Sequence, residues 1–199
     1  MFIVFEGIDG SGKTTQAELL KKSLEKQGFS VVLTKEPTKN STVSEKIRQI
    51  LKKEVSVSPK KLQELFIQDR KEHLENFVIP SLEEGKIVIS DRYYFSTIVY
   101  GASEEVSTSW LIEKNRDFLK PDITFIFDID AEVCIERIKK GERSFELFEK
   151  MEKLKLIREE YKKLPKYFDN LIFIDAKEDI KKIHLKLMNL ILNKIQKQA

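Results

Sequence analysis

Phe5-Glu6-Gly7-Ile8-Asp9-Gly10-Ser11-Gly12-Lys13-Thr14 is the stretch whose reading decides the fold. Gly7 to Thr14 match the G-x-x-x-x-G-K-[ST] pattern in full, behind an apolar run that reads as a buried strand and ahead of a segment that reads as helix. Three of the chain's 7 glycines fall here, where a backbone must turn tightly and point its N–H groups at phosphate oxygens. The loop of Gly7, Ile8, Asp9, Gly10, Ser11, Gly12, Lys13, Thr14 and Thr15 is therefore expected to cradle a nucleoside triphosphate. Lys13 would reach the β- and γ-phosphates, the Thr14 hydroxyl would bind Mg²⁺, and the helix N-terminus would add favourable potential for an anion. Asp9 is less expected, because a carboxylate inside an anion-binding loop costs electrostatic energy. It either serves a hydroxyl of a second substrate or caps the turn, and the loop alone does not choose.

Outward from the loop, five runs rich in β-branched and aromatic residues alternate with helical stretches: 2–5, 30–34, 87–90, 123–129 and 171–174. Most are too continuously apolar to be half-exposed, which predicts an α/β fold: a doubly wound parallel sheet with helices on both faces. Gly28 and Gly85 stand where left-handed helix caps are wanted, just before a strand. Ser58-Pro59 opens the longest helical pattern, which is expected to bend or end at Pro80, and Thr42-Val43-Ser44-Glu45 reads as a capping box. A last amphipathic helix is expected over 179–197, with Ile183, Leu187, Leu190 and Ile191 on one face. No linker or repeat divides residues 1–199, so one domain is expected.

Composition narrows the function. The 36 basic and 33 acidic residues are mixed along the chain, and a net charge of +3 is no footprint for a nucleic-acid backbone. Cys134 is the single cysteine and His73 and His184 lie far apart, so neither a disulfide framework nor a Cys/His metal cluster is expected, as suits a reducing cytoplasm. The opening residues lack the basic region of a signal peptide, and no run approaches the ~20 apolar residues of a membrane span. A soluble cytoplasmic protein with no nucleic-acid or membrane partner is expected.

A second site reads from the strand ends. Asp91, at the carboxyl end of Ile87-Val88-Ile89-Ser90, resembles a Walker B acid and is a candidate for the metal with Thr14, and Arg92 offers a planar fork of donors for a phosphoryl group. Taken alone, such a pair is more often a cap and a surface ion pair. Phe66 and Arg70, four apart on the long helix, would project an aromatic face and a guanidinium side by side. A planar base could stack on one and hydrogen-bond to the other, although alone they read as core packing and a solvated charge.

These segments in order, Phe5 to Gln16, Lys35-Glu36-Pro37, Phe66-Ile67-Gln68-Asp69-Arg70 and Asp91-Arg92-Tyr93, resemble the thymidylate kinase family over almost the whole chain. The resemblance implies a five-stranded parallel sheet of the P-loop kinase type, a homodimer, and transfer of the ATP γ-phosphoryl group to thymidine monophosphate with Mg²⁺. It further implies that Phe66 stacks on thymine, that Arg70 meets the base edge, and that Asp9 holds the acceptor's 3′-hydroxyl. Arg92 would contact the phosphoryl groups, and Asp91 and Glu36 would support the metal and acceptor-phosphate region. Arg48, Thr97 and Tyr100 would line the acceptor pocket. Lys35, Thr38-Lys39-Asn40 and Gly101 depart from the family's usual arginine, Gly-Gly-Thr and glutamine. Ser11 occupies the loop position where some members carry an arginine, so the cations are expected from a lid around 137–150, with Arg137 on ATP and Arg143 in transfer. For either arginine singly, a solvated helix end fits as well.

The acceptor phosphate is largely ionised at neutral pH, with a second pKa near ~6, so no general base is required. Two rivals share the loop. A deoxynucleoside kinase would need Glu36 as base for a neutral hydroxyl, and a nucleotide-binding switch would have no acceptor and would leave Phe66 and Arg70 unexplained.

Overall fold

The five apolar runs assemble into one parallel sheet. The structure, a computed structural model, describes residues 1–39, 41–138 and 144–198, with the side chains of 138, 144–149 and 198 outside the description. Strands β1 (Phe2–Gly7), β2 (Val31–Lys35), β3 (Ile87–Asp91), β4 (Ile123–Asp128) and β5 (Leu171–Asp175) stand in the order β2-β3-β1-β4-β5. Each matches its expected run to within two residues at either end. Every residue of β1 and β3 is buried, whereas the edge strands β2 and β5 are mostly half-buried, as layers of helix over a parallel sheet require.

Helices α1 (Lys13–Lys26), α2 (Thr42–Leu51), α3 (Pro59–His73), α4 (Ile79–Glu83), α5 (Tyr94–Ala102), α6 (Thr108–Asn115), α7 (Ala131–Ile138), α8 (Ser144–Lys163) and α9 (Ile180–Gln198) surround the sheet. α1 packs on β1, β2 and β3 and against α9, while α5 meets β1 and packs against α3, α6 and α8. The core joins Phe2 to Phe5 of β1, Val88 and Ile89 of β3 and Phe125 to Phe127 of β4 with Leu20 and Leu24 of α1 and Ile183, Leu187 and Ile191 of α9. Full burial of each such large side chain contributes about 1.5–3 kcal/mol. The expected apolar face of the last helix is therefore its packing face. No helix among the described residues is long and apolar enough to cross a membrane.

Gly28 and Gly85 adopt the left-handed conformation, with φ of +89° and +75°, and end their helices as expected. One local expectation is corrected, and of the two outcomes expected at Pro80, a bend or an end, the end does not occur. The N-cap of α2 is Ser41, one residue before the expected Thr42: Ser41 Oγ accepts from the Ser44 amide and Ser44 Oγ from the Ser41 amide, at 2.9 and 3.1 Å. A serine at the third helical position thus closes the box that Glu45 was expected to close, and Glu45 pairs with Arg48 instead. The pattern that starts at Ser58 does not stop at Pro80: a π turn over Leu74–Val78 joins α3 to α4, and Pro80 lies in the first turn of α4. Widening the backbone there accommodates a residue with no N–H, whose ring would press on a carbonyl one α-turn back.

Candidate active site

The sheet order reverses around β1, and the carboxyl ends of β1, β2 and β3 bring the loop, Lys35-Glu36 and Asp91-Arg92 to one crevice, where open α/β sheets bind ligands. The loop turns through Gly7, Gly10 and Gly12 at φ of +142°, +82° and +93°. Gly7 is required twice over, since a Cβ there would lie 2.7 Å from the Phe127 carbonyl oxygen. Lys13, buried at the first turn of α1, donates to the Gly7 and Ile8 carbonyls at 2.9 Å each. Burial, with the Arg92 guanidinium close by, brings its ammonium down to about 7 against the pull of Asp91 and Asp9. A cavity of about 430 Å³ opens over residues 9–16, walled by Phe127, Arg137, Ala176 and Glu178.

Thr14 Oγ1 donates to Asp91 Oδ2 at 2.6 Å, and Lys35 Nζ lies 3.4 Å from the same oxygen. Asp91 Oδ1 is buried with no hydrogen-bond partner. Among the described residues there is no cluster of three or more His, Cys, Asp or Glu. The hydroxyl and the orphaned carboxylate oxygen nevertheless fit Mg²⁺, which takes one or two protein oxygens and fills its octahedron with water and substrate phosphate.

Arg92 has φ of +79°, a costly conformation for a residue with a side chain, and Ser90 Oγ donates to its carbonyl at 2.7 Å. Its guanidinium donates to Asp9 at 2.6 Å, to Ser96 Oγ at 2.9 Å and to the Tyr100 hydroxyl at 3.0 Å. Asp9 thus pairs with Arg92 across the crevice; desolvation pushes its carboxyl up, but Arg92 and Lys13 outweigh it and hold it below the ordinary value. Beneath them the fully buried Glu6 accepts from the Tyr93 and Ser96 amides, Ser96 Oγ and the Tyr161 hydroxyl. Burial raises the Glu6 carboxyl despite Arg92 and those donors. One carboxylate therefore ties β1 to the start of α5 and to α8, and so holds the strained turn that presents Arg92.

A second cavity, about 550 Å³, is lined by Phe66, Arg70, Thr97 and Tyr100, and it shares Asp9, Lys35 and Arg92 with the first. Arg70 is 1% exposed. Its Nε donates to Glu36 at 2.9 Å, with Nη2 2.8 Å from the same carboxylate oxygen in the ion pair; Nη2 donates to Thr97 Oγ1 at 2.9 Å and Nη1 to Asn115 Oδ1 at 2.7 Å. Thr97 therefore both lines the cavity and holds Arg70 in place. The other Glu36 oxygen takes a 3.2 Å contact from His73 Nδ1, whose Nε2 lies 2.7 Å from Thr34 Oγ1.

Several expectations change. Glu36 lines the second cavity, but its oxygens are taken by Arg70 and His73 rather than turned to the Thr14–Asp91 pair. Arg48, expected at the acceptor pocket, does not line the second cavity: it donates to the Lys39 carbonyl and pairs with Glu45 on its own helix. Arg137 reaches the loop, donating to the Gly10 and Ala176 carbonyls at 3.3 and 3.2 Å. Arg143, the other arginine expected of a lid, lies outside the described residues. Sequence reasoning missed Gln63, Asn115, Ser96, Glu6 and Tyr161. Gln63 alone had a readable signal, since it is three residues before Phe66 and seven before Arg70 on the same helix face. Glu6 and Ser96 lie close in sequence to the loop and to Arg92 but show their roles only through their partners, and Asn115 and Tyr161 come from elements distant in sequence.

Fold and site together define a P-loop protein of the nucleoside monophosphate kinase architecture, with a phosphate-binding loop facing a second cavity. The family model for thymidylate kinase matches residues 5–187. The chain is 40% identical to a probable thymidylate kinase of Thermococcus kodakarensis, over 96% of this chain and 97% of that protein. It is 36% identical to a probable thymidylate kinase of Methanocaldococcus jannaschii over 97% and 96%, and 37% identical to a thymidylate kinase of Leptospira borgpetersenii over 83% and 82%. The chain belongs to the thymidylate kinase family.

Proposed function

We propose that this protein transfers the γ-phosphoryl group of ATP to thymidine monophosphate, giving thymidine diphosphate and ADP. The observation that carries the reading is the meeting of two cavities at Asp9, Lys35 and Arg92. Direct transfer needs donor and acceptor phosphates held in line within one cationic neck, and little covalent chemistry from the protein.

The loop amides and Lys13 hold the donor phosphates. Arg92 neutralises charge on the transferring group, and Lys35 adds a point charge where an arginine would give a fork. Thr14 and Asp91 are the residues that would hold Mg²⁺, which when bound with ATP neutralises β- and γ-phosphate charge. Phe66 stacks on the base, Arg70 donates to its edge, Tyr100 closes the sugar side, and Asp9 is placed for the 3′-hydroxyl once Arg92 turns to phosphate. Residues 137–150 act as a lid within the single domain 1–199, with Arg137 and Arg143 supplying charge and excluding water. The proposal extends to a cytoplasmic homodimer, checked by sedimentation equilibrium as twice the 23.3 kDa chain mass.

A deoxynucleoside kinase is disfavoured by Glu36, whose oxygens are taken by Arg70 and His73 and so are poorly available as a base. A switch protein would have no use for the second cavity. The deciding experiment is ADP release with Mg·ATP against thymidylate, deoxyuridylate, other monophosphates and free thymidine, with products identified by mass. Turnover requiring a thymidine-type monophosphate supports the reading; turnover on free thymidine alone, or without any acceptor, sinks it. Deoxyuridylate, lacking one methyl, is expected to remain a substrate within about a thousandfold, because a methyl discriminates by only about 1–3 kcal/mol.

A further inference from the structure

We propose that Gln63 is a base-recognition residue of the acceptor cavity, its side-chain carbonyl accepting a hydrogen bond from the ring N3–H of the thymine. The inference rests on the proposed thymidine monophosphate acceptor and names a contact within it. Gln63 is 2% exposed, lines the cavity beside Phe66 and Arg70, and its Oε1 has no hydrogen-bond partner. A buried acceptor without a donor costs folding free energy, and a binding site is where such a cost is recovered when a ligand arrives.

Two helices set the position. Gln63, Phe66 and Arg70 share one face of α3, and α3 packs on α5. Arg70 meets Thr97; one turn along α5, Gly101 meets Gln63, so that a Cβ on Gly101 would lie 3.1 Å from Gln63 Cγ and 2.8 and 2.9 Å from the Leu111 methyls. The missing side chain at 101 makes the room that Gln63 occupies.

The chemistry of the base then selects the contact. The thymine edge runs acceptor O4, donor N3–H, acceptor O2. Arg70 has donors only: Nε, one Nη1 and one Nη2 N–H are spent on Glu36, Asn115 and Thr97, and Nη2 also sits in the Glu36 ion pair, so the second N–H on Nη1 is left for O4. A ring stacked on Phe66 with O4 toward Arg70 turns N3–H to the next position along α3, where the unpaired Gln63 carbonyl stands. Cytosine reverses both positions, offering an amino donor to Arg70 and a lone pair to Gln63. A site with buried polar groups left unpaired rejects such an analogue strongly.

Gln63→Met keeps length and helix propensity while removing the amide. Wild type and variant are compared for kcat/KM on thymidine monophosphate, its N3-methyl derivative and deoxycytidine monophosphate, and for the KM of ATP. The variant is expected to lose about tenfold on thymidine monophosphate, chiefly through KM, with the ATP KM unchanged. The penalty for N3-methylation should shrink by about the same factor, and discrimination against deoxycytidylate should relax. Equal losses on the methylated and unmethylated acceptors, or no loss, would overturn the assignment and leave Gln63 a packing residue. Gln63→Leu provides the same comparison if the methionine variant does not fold. A wild-type protein inactive on thymidine monophosphate would overturn the proposed function and this contact together; an active wild type with no coupling at Gln63 overturns the contact alone.

Discussion

At the residue scale, Lys13 ties function to pH. Its ammonium titrates near 7 against the loop carbonyls, and a polyphosphate beside it favours the charged form and raises that value. Binding therefore takes up a proton above pH 7, and ATP affinity should fall by up to about tenfold per pH unit as pH rises past that point. Calorimetry in buffers of different ionisation heat should show uptake approaching one proton per ATP on Lys13 at pH 8 and little at pH 6. No uptake at pH 8 would mean that the ammonium keeps its ordinary value. Phe66 offers a second expectation. Half-buried on α3, it packs partly on Val43, Ile47 and Leu65 and partly lines the acceptor cavity. Phe66→Ala should raise the acceptor KM about tenfold to a hundredfold, the range for base–aromatic stacking, and leave the ATP KM nearly unchanged. Equal effects on both substrates would remove the stacking role.

At the scale of elements, α5 is where packing and recognition meet. It begins at the strained Arg92 turn held by Glu6, carries Ser96, Thr97 and Tyr100 into the second cavity, and passes Gly101 against α3 and α6. Helix propensity alone favours Gly101→Ala by about 0.5–1 kcal/mol. The new methyl would, however, meet Leu111, itself fully buried, at 2.8 Å, and such overpacking costs about 1–3 kcal/mol. The clash outweighs the propensity, so urea unfolding should show a net loss of stability, accompanied by weaker acceptor binding as Gln63 is displaced. A stabilised variant would show that α5 and α6 separate easily, contrary to the packing seen.

At the scale of the molecule, two cavities with one shared neck imply that both ligands bind at once. Each ligand at about a hundred times its Kd should add about 2.7 kcal/mol, which for a domain near this size raises Tm by roughly 5–10 °C. Scanning calorimetry with ADP, thymidine monophosphate and both together should show shifts that sum. A combined shift no larger than the greater single one would mean that the ligands exclude each other.

The sheet and the phosphate loop were legible because their signals are local: continuous apolar runs, glycines where the backbone must turn, and a strand–loop–helix order that only a few folds use. The motif segments at 5–16, 35–37, 66–70 and 91–93 carried the family for the same reason. What each polar side chain touches was settled by tertiary structure. Nothing in the local sequence says that Glu36 is taken by Arg70 and His73, that Arg48 is kept on its own helix by Glu45 and Lys39, or that Asn115 reaches back 45 residues to Arg70. Backbone conformation is set largely by neighbours in sequence, and so it can be read there; a buried charge takes the partner that the packed elements bring within about 3 Å, and that partner is chosen only when the elements meet.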